Sequence, residues 1–371
     1  MELARDPGCS VARGRVLCNA IAWKMSQFTD PSASSLPLRK VIPWLELAIL
    51  GASLILPAFA DDFWTLFLTR VFILGLLALS FDLVWGYAGI LSFGQALFFG
   101  MAGYCTALIA TKLDITSVLV LLPAAGLVGL IVSLILAFIV ILGRRVPTTV
   151  FVALGTLTGS YVVERLARGW SYVGGQNGIP SLPRLTLGSH EIAEGVWFYY
   201  MALGMLVGVY VVLKFLTRSQ LGLVLAGIRQ HETRITFFGY RVQHVKGIIF
   251  ALAGIIAGLA GGMYAFHEGY VGPGQLSPVL STQVVLYVLF GGVGTLIGAV
   301  VGAGVIEYLS FMLSEQYQRL WPIFLGLLLL VIIMFRPTGL IGFLVSSRER
   351  IGSFGRPGDA APAHEADKNP P

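Results

Sequence analysis

Runs of apolar residues, each about as long as the 20 residues that span a bilayer as a helix, recur along this sequence. The clearest is "TSVLVLLPAAGLVGLIVSLILAFIVIL" at 116–142, which contains no charged residue. Charged residues make up 12% of the chain, about half the share found in an ordinary soluble domain. So few charges cannot cover a water-soluble surface, and we therefore predict an all-α polytopic membrane protein.

The apolar runs predict about nine to ten transmembrane segments between two polar ends. The predicted spans are 41–60, 63–85, 89–111, 116–142, 147–166, 196–216, 246–267, 282–312 and 320–336. Residues 1–40 are expected to be a polar cytoplasmic tail, 41–345 the transmembrane domain, and 346–371 a disordered cytoplasmic tail. The sequence is compatible with a translation start at Met1 or at Met25.

The basic residues predict which loops face the cytoplasm, because Lys and Arg collect in cytoplasmic loops of membrane proteins. Arg144 and Arg145 form one basic pair, and segment 217–246 carries more basic residues against its single acid, Glu232. Both loops are expected inside, which places the long connection 167–195 outside. The excess of 25 Lys and Arg over 19 acidic residues thus reflects membrane orientation and does not indicate nucleic-acid binding.

Two glycine-rich stretches are too irregular for plain helices. One is "LYVLFGGVGTLIGAVVGAGVIEYL" at 286–309, which is either a broken or re-entrant pair of half-helices or a single long tilted helix. The other, at 85–104, places polar side chains at membrane depth. Irregular backbone at that depth must be buried in protein or line an aqueous path. The candidate translocation lining is Ser92, Gln95, Gly291, Gly292 and Gly294.

Glycines recur every four residues in two further rows, 254–258–262 and 294–298–302. This spacing places small residues on one helix face, where another backbone can approach closely. We expect these rows to pack helices within the chain, with a lumen wall or a contact with a partner chain as the alternative.

The sequence contains no constellation for catalysis, metal binding or nucleotide hydrolysis. Its five histidines and three cysteines lack metal-ligand spacing, and none of its six lysines follows a glycine as a Walker-type phosphate loop requires. We therefore predict that the protein is not an enzyme and holds no metal or cofactor. Transport would be driven by a gradient, by passive equilibration or by a separate subunit that hydrolyses ATP.

The stretch "GLVLAGIRQHETRITFFGYR" at 222–241 is a dense polar segment in an apolar chain. It reads as two short helices, with Leu221, Leu225 and Ile228 on one apolar face and Ile235 and Phe238 on the next. Arg229, Glu232 and Arg234 form the polar face, and Gly239 is placed as a C-terminal stop. Such a segment suits docking onto another protein or resting on lipid headgroups.

This segment resembles the cytoplasmic coupling loop of bacterial ABC importer permeases, in particular the LivM-type subunit of the branched-chain amino acid permease family. The matching positions are Gly222, Ala226, Ile228, Arg229, Glu232, Gly239, Tyr240 and Lys246, and Gly227 departs from the pattern as an insertion. Four other stretches resemble family motifs in the same order: 86–104, 172–183, 289–303 and 335–342. Urea and short-amide ABC permeases share these motifs, so the solute stays open.

The resemblance implies a permease in the bacterial inner membrane that imports branched-chain amino acids or a similar small organic solute. Its partners would be a homologous LivH-type permease, two cytoplasmic ATPase subunits that use the ATP, and a periplasmic binding protein. The coupling loop 217–246 would contact the ATPases, centred on Arg229 and Glu232. The external loop 167–195 is expected to contact the binding protein through Trp170, Tyr172, Gly174, Gly175 and Asn177. A gradient-driven secondary transporter is the alternative from another class.

Overall fold

The computed structural model describes residues 41–59, 61–142, 149–187, 190–192, 195–317, 323–324, 326–327 and 330. The chain divides into two units, residues 1–44 and 45–371, and only Val41–Trp44 of the first unit is described. All contacts given below lie within residues 45–371. Both predicted tails, the basic pair Arg144–Arg145 and the motif at 335–342 lie outside the described residues.

The described residues form a helical bundle with one short hairpin. The helices are α1 Val41–Ile55, α2 Asp62–Asp82, α3 Gln95–Lys112, α4 Val118–Val140, α5 Thr149–Gly169, α6 Val196–Arg218, α7 Gln220–Gln230, α8 Glu232–Phe237, α9 Val242–Glu268, α10 Pro278–Gly291 and α11 Ile297–Tyr317. A π-helical turn, Leu83–Tyr87, extends α2. Strands β1 Leu185–Leu187 and β2 His190–Ile192 pair antiparallel in the loop 167–195, which is predicted to be external.

Five of the described helices are long and apolar enough to cross a membrane: α2 with its π-helical turn, α4, α5, α6 and α9. The predicted all-α polytopic membrane fold is therefore confirmed. The shorter helices α10 and α11 are also apolar. The count of nine or ten crossings stays a prediction, because most of 318–371 lies outside the described residues.

The bundle is built around α2 and α9. Their apolar windows are 83% and 72% buried, whereas those of α4, α5 and α6 are 33% buried. Helix α9 packs on α2, α3 and α4, which surround it. The outer helices expose large apolar side chains such as Phe138 and Phe215, as helices that face lipid do.

The glycine row of α9 packs helices within the chain, as expected. A Cβ on Gly258 would lie 2.5 Å from the Ala125 carbonyl oxygen and 3.0 Å from the Gly129 Cα, both on α4. In the second row, Gly298 and Gly302 face the backbone of α10 in the same way. Gly294 is different, since it lies in the turn before α11 with a φ of +78°. The prediction of a three-member helical row there was wrong, because Gly294 serves the turn.

The two irregular stretches are interrupted where their glycines fall. Helix α10 ends at Gly291 and α11 begins at Ile297, so the broken-helix interpretation of 286–309 is confirmed and the single tilted helix is excluded. The span predicted from residue 89 begins as helix only at Gln95, because Gly89 has a φ of +71° and residues 88–94 are irregular. The hairpin β1–β2 was not predicted.

Candidate functional site

The polar segment between α6 and α9 folds as two helices, α7 and α8, as the sequence predicts. Helix α7 buries Leu225, Ala226 and Ile228 against the bundle. Gly222 is also buried, and a Cβ there would collide with the Thr217 carbonyl, so the turn from α6 into α7 requires a residue without a side chain. The apolar face of α7 therefore fixes this helix to the membrane helices.

Helix α8 is held less firmly and is mostly exposed. Within the described residues, α8 is joined to α9 by the ion pair between Glu232 and Lys246, with 2.7 Å between Oε2 and Nζ. Gly239 follows with a φ of +87°, which confirms it as the stop after α8. Phe238 is 78% exposed, so the prediction that it anchors the apolar face was wrong. The reason is that α8 ends at Phe237 and Phe238 already turns away from the bundle.

Leu221 is likewise not part of the buried face. It is 41% exposed, since it lies at the start of α7 beside the turn from α6. Arg234 and Tyr240 also lie exposed at the surface of the loop. The segment thus presents cations and aromatic rings outward, a composition that suits contact with another protein.

Arg229 points from the end of α7 towards the bundle. Its Nη1 donates a hydrogen bond to the Gly86 carbonyl in the π-helical turn after α2. A Cβ on Gly89 would lie 3.4 Å from the Arg229 Cγ, and one on Gly294 would lie 3.3 Å from its Nη1. The structure therefore brings together three of the sequence motifs, those around residues 86, 229 and 294.

The candidate lining residues lie inside the described bundle. Ser92 and Gln95 are fully buried. The Ser92 Oγ accepts a hydrogen bond from the Gly94 amide at 3.1 Å, and the Gln95 Oε1 accepts one from Ser80 at 3.1 Å. Within the described residues the Gln95 Nε2 has no hydrogen-bond partner. Its unused donor makes Gln95 the lining candidate with the clearest capacity to bind another polar group.

Gly291 and Gly292 mark the end of α10. A Cβ on Gly291 would collide with the Gly298 carbonyl of α11, and Gly292 has a φ of +121°. The first glycine allows the two helices to approach closely, and the second allows the chain to leave α10. Both positions therefore belong to the turn between α10 and α11.

The external loop presents aromatic side chains on a braced backbone. Trp170 and Tyr172 are 61% and 60% exposed, with their ring centroids 6.1 Å apart. Gly174 and Gly175 have φ values of +86° and +56°, and Asn177 ends the short turn that follows. The pairing of Ile179 with Val271 fastens this loop to the segment after α9.

In the described part of the chain, no three His, Cys, Asp or Glu side chains are grouped in a way that could hold a metal ion.

Comparison with protein families gives a match over most of the helical region. The family model "Branched-chain amino acid transport system / permease component" matches residues 64–333. The chain belongs to this family. The matched range contains the α7–α8 loop, the α10–α11 turn and the external loop, so all three are parts of a transport permease.

Curated relatives of the permease carry the same description. The LivM high-affinity branched-chain amino acid transport permeases of Escherichia coli and Salmonella typhimurium are each 28% identical over 297 residues, covering 74% of this chain and 68% of theirs. A probable LivM permease of Methanocaldococcus jannaschii is 25% identical over 311 residues, covering 72% of this chain and 89% of its own. No solved structure matches.

The permease also contains an ion cluster that sequence reasoning did not assemble. Arg70 Nη1 lies 3.5 Å from Glu268 Oε1, and Arg70 Nε lies 3.4 Å from Glu307 Oε2. Glu307 is buried and also accepts hydrogen bonds from Tyr287 and Gln283. A charge inside the membrane is costly unless paired, which is the reason these residues converge from α2, α9 and α11. Arg70 and Glu307 are far apart in sequence, so only their shared position inside apolar spans could have indicated the pair.

Proposed function

We propose that this chain is the LivM-type permease subunit of an ABC importer in a bacterial inner membrane, which carries branched-chain amino acids or a similar small solute. The observation that carries the proposal is the α7–α8 loop. One face of this loop is buried in the bundle and the other is exposed beside the ends of two long membrane helices. Family membership supports the same reading.

The driving force comes from separate ATPase subunits, which bind the exposed side of α7 and α8. The buried residues Leu225 and Ile228 make α7 move with the bundle, and the Glu232–Lys246 pair joins α8 to the start of α9. A displacement of the loop therefore pulls on both α6 and α9. Because α9 packs on α2, α3 and α4, the displacement reaches the centre of the permease.

Solute enters from a periplasmic binding protein that docks on the external loop. Trp170 and Tyr172 offer exposed aromatic area of the kind that anchors protein interfaces. The pairing of Ile179 with Val271 fastens that loop to the segment after α9. Ser92, Gln95 and the glycines at 291, 292 and 294 are the proposed lining of the path that follows.

The solute class rests on the relatives, whose names assign them to branched-chain amino acid transport. Import is expected to require a second, homologous permease, two ATPases and the binding protein. Purification of the permease with its co-expressed partners and reconstitution into liposomes tests this. The complex should accumulate labelled leucine when ATP is supplied, whereas the permease alone should accumulate none. Accumulation by the isolated permease under a proton or sodium gradient would instead identify a secondary transporter.

A further inference from the structure

Asp82, the last residue of α2, contacts the turn before α11. Its side chain is fully buried, and its Oδ1 accepts a hydrogen bond from the Gly294 amide at 2.6 Å. Its Oδ2 accepts a second hydrogen bond from the Leu296 amide at 3.0 Å. These amides lie in the turn that leads into α11. Asp82 therefore holds this turn from another part of the chain.

The backbone that Asp82 holds is strained. Leu296 has a φ of +38°, which a residue with a side chain rarely adopts, and Gly294 has a φ of +78°. The Leu296 conformation is unfavourable and persists only where its surroundings enforce it. Removing the carboxylate would leave two amides without partners and this strain unopposed. The conformation of the α10–α11 turn thus depends on the Asp82 carboxylate.

Arg229 links this turn to the α7–α8 loop. It donates a hydrogen bond to the Gly86 carbonyl, four residues beyond Asp82, and its Nη1 lies beside Gly294, where an added Cβ would be 3.3 Å away. The contact is close because the surrounding backbone lacks side chains. A Cβ on Gly86 would lie 2.7 Å from the Gly294 amide nitrogen. Arg229 therefore connects the α7–α8 loop to the α10–α11 turn.

We propose that Asp82 and Arg229 form a junction that transmits movement of the α7–α8 loop to the α10–α11 turn. In the arrangement seen here, Arg229 holds the π-helical turn after α2 and Asp82 holds the start of α11. When α7 shifts, Arg229 withdraws from Gly86, and residues 291–296 change conformation inside the bundle. Both are positioning residues for transport. This inference rests on the proposed function, because it requires the loop to be moved from outside.

The buried position of Asp82 separates this junction from a simple ATPase contact. Arg229 is partly exposed and an ATPase could reach it, but Asp82 has no exposed surface. Asp82→Asn and Arg229→Gln should therefore produce the same defect only if the two residues act together. Arg165→Gln is the matched control, since Arg165 is an exposed arginine outside the coupling loop and its hydrogen bond, to Tyr161, stays on its own helix.

The test uses the complete complex in liposomes, with uptake and ATP hydrolysis measured together. Asp82→Asn and Arg229→Gln should each lower the solute imported per ATP by about tenfold, within the range of measured coupling energies. With Asp82→Asn, the ATPases should still copurify in wild-type amounts, because Asp82 is fully buried. Arg229→Lys should restore part of the solute-to-ATP ratio, because it keeps the charge, and Arg165→Gln should match wild type. The double variant should be no worse than either single variant, as residues of one network behave.

A second readout reports on the turn itself. Val293→Cys, in a background without native cysteines, should react with a thiol reagent at rates that differ about fivefold or more between the ATP-free and ATP-bound complexes. Arg229→Gln should abolish that difference, whereas a purely structural role would leave it in place. Folding failure of Asp82→Asn does not affect this measurement, because Arg229→Gln changes a partly exposed residue.

The contrary outcomes are distinguishable. If Arg229→Gln releases the ATPases while Asp82→Asn transports normally, Arg229 is only an ATPase contact and the junction is refuted, although the proposed function stands. A turn at Val293 that does not respond to ATP in the wild-type complex also refutes the junction. If the ATPases bind the complex but never contact α7 in cross-linking from Gln230→Cys, the proposed coupling loop fails and the junction fails with it.

Discussion

Replacement of Gly258 by alanine should destabilise the permease, whereas the same replacement at Gly208 should not. The Gly258 Cβ would lie 2.5 Å from the Ala125 carbonyl oxygen and 3.2 Å from the Gly129 amide nitrogen. These are backbone atoms of α4 and cannot rotate away, so the two helices must separate. At Gly208, on α6, no atom lies within 4 Å of the added Cβ.

The magnitude follows from two opposing terms. Overpacking of a tight interface costs about 1–3 kcal/mol, and more where backbone is the obstacle. Exchange of glycine for alanine inside a helix contributes about 1 kcal/mol of stability at both positions. Gly208→Ala should therefore be neutral or slightly stabilising. The free energy of unfolding of Gly258→Ala should be about 1–3 kcal/mol lower than that of Gly208→Ala. Because each kcal/mol shifts the melting temperature by a few degrees, the two melting temperatures should differ by about 2–6 °C.

The assay is thermal unfolding of the two variants and wild type, each purified in detergent. The readout is the amount of protein that remains monodisperse on gel filtration after heating. The order expected is Gly208→Ala at or above wild type and Gly258→Ala below it. Equal melting temperatures for the two variants would refute the claim that α9 and α4 pack through their backbones at this point.

Two further perturbations test other parts of the structure. Glu307→Gln removes the buried charge of the ion cluster and leaves Arg70, whose side chain is 43% exposed, with Glu268 alone. It should cost about 1 kcal/mol in thermal unfolding, because solvent screens the Arg70 charge. The exposed Glu191→Gln should cost nothing measurable, and equal losses would contradict the buried pairing. Trp170→Ala combined with Tyr172→Ala should weaken binding of the periplasmic protein at least tenfold in surface plasmon resonance, because two aromatic anchors are lost. Copurification of the ATPases should stay constant. Unchanged affinity would show that the external loop is not part of that interface.

The apolar spans could be predicted because each depends on local composition, and the turn at 291–296 was one of the two interpretations that its glycines allowed. A bilayer demands about 20 apolar residues per helical crossing, and glycines accumulate where a helix must stop or approach another backbone. The same reasoning found the two short helices of the α7–α8 loop, since Gly239 and the apolar positions of α7 are local signals. It could not decide that Phe238 faces away, because that depends on where α8 ends.

The contacts that join distant segments could not be predicted. Asp82 and Gly294 are separated by 212 residues, and Arg229 and Gly86 by 143. No periodicity connects such positions. The signal available in the sequence was indirect: Asp82 is a carboxylate inside an apolar span, and such a group requires partners. The hairpin β1–β2 escaped prediction for a different reason, because its strands of three residues are too short to show alternation.

The central claim is that the α7–α8 loop is moved by ATPase subunits, and a reversible cross-link tests it most directly. Gln230→Cys is placed in a complex whose native cysteines are replaced, and cysteines are introduced on the facing surface of the ATPase. Disulfide formation between the two subunits should stop ATP-dependent leucine uptake, and reduction should restore it. Full uptake by the cross-linked complex, or failure of α7 to cross-link to an ATPase in a complex that transports, would contradict the account.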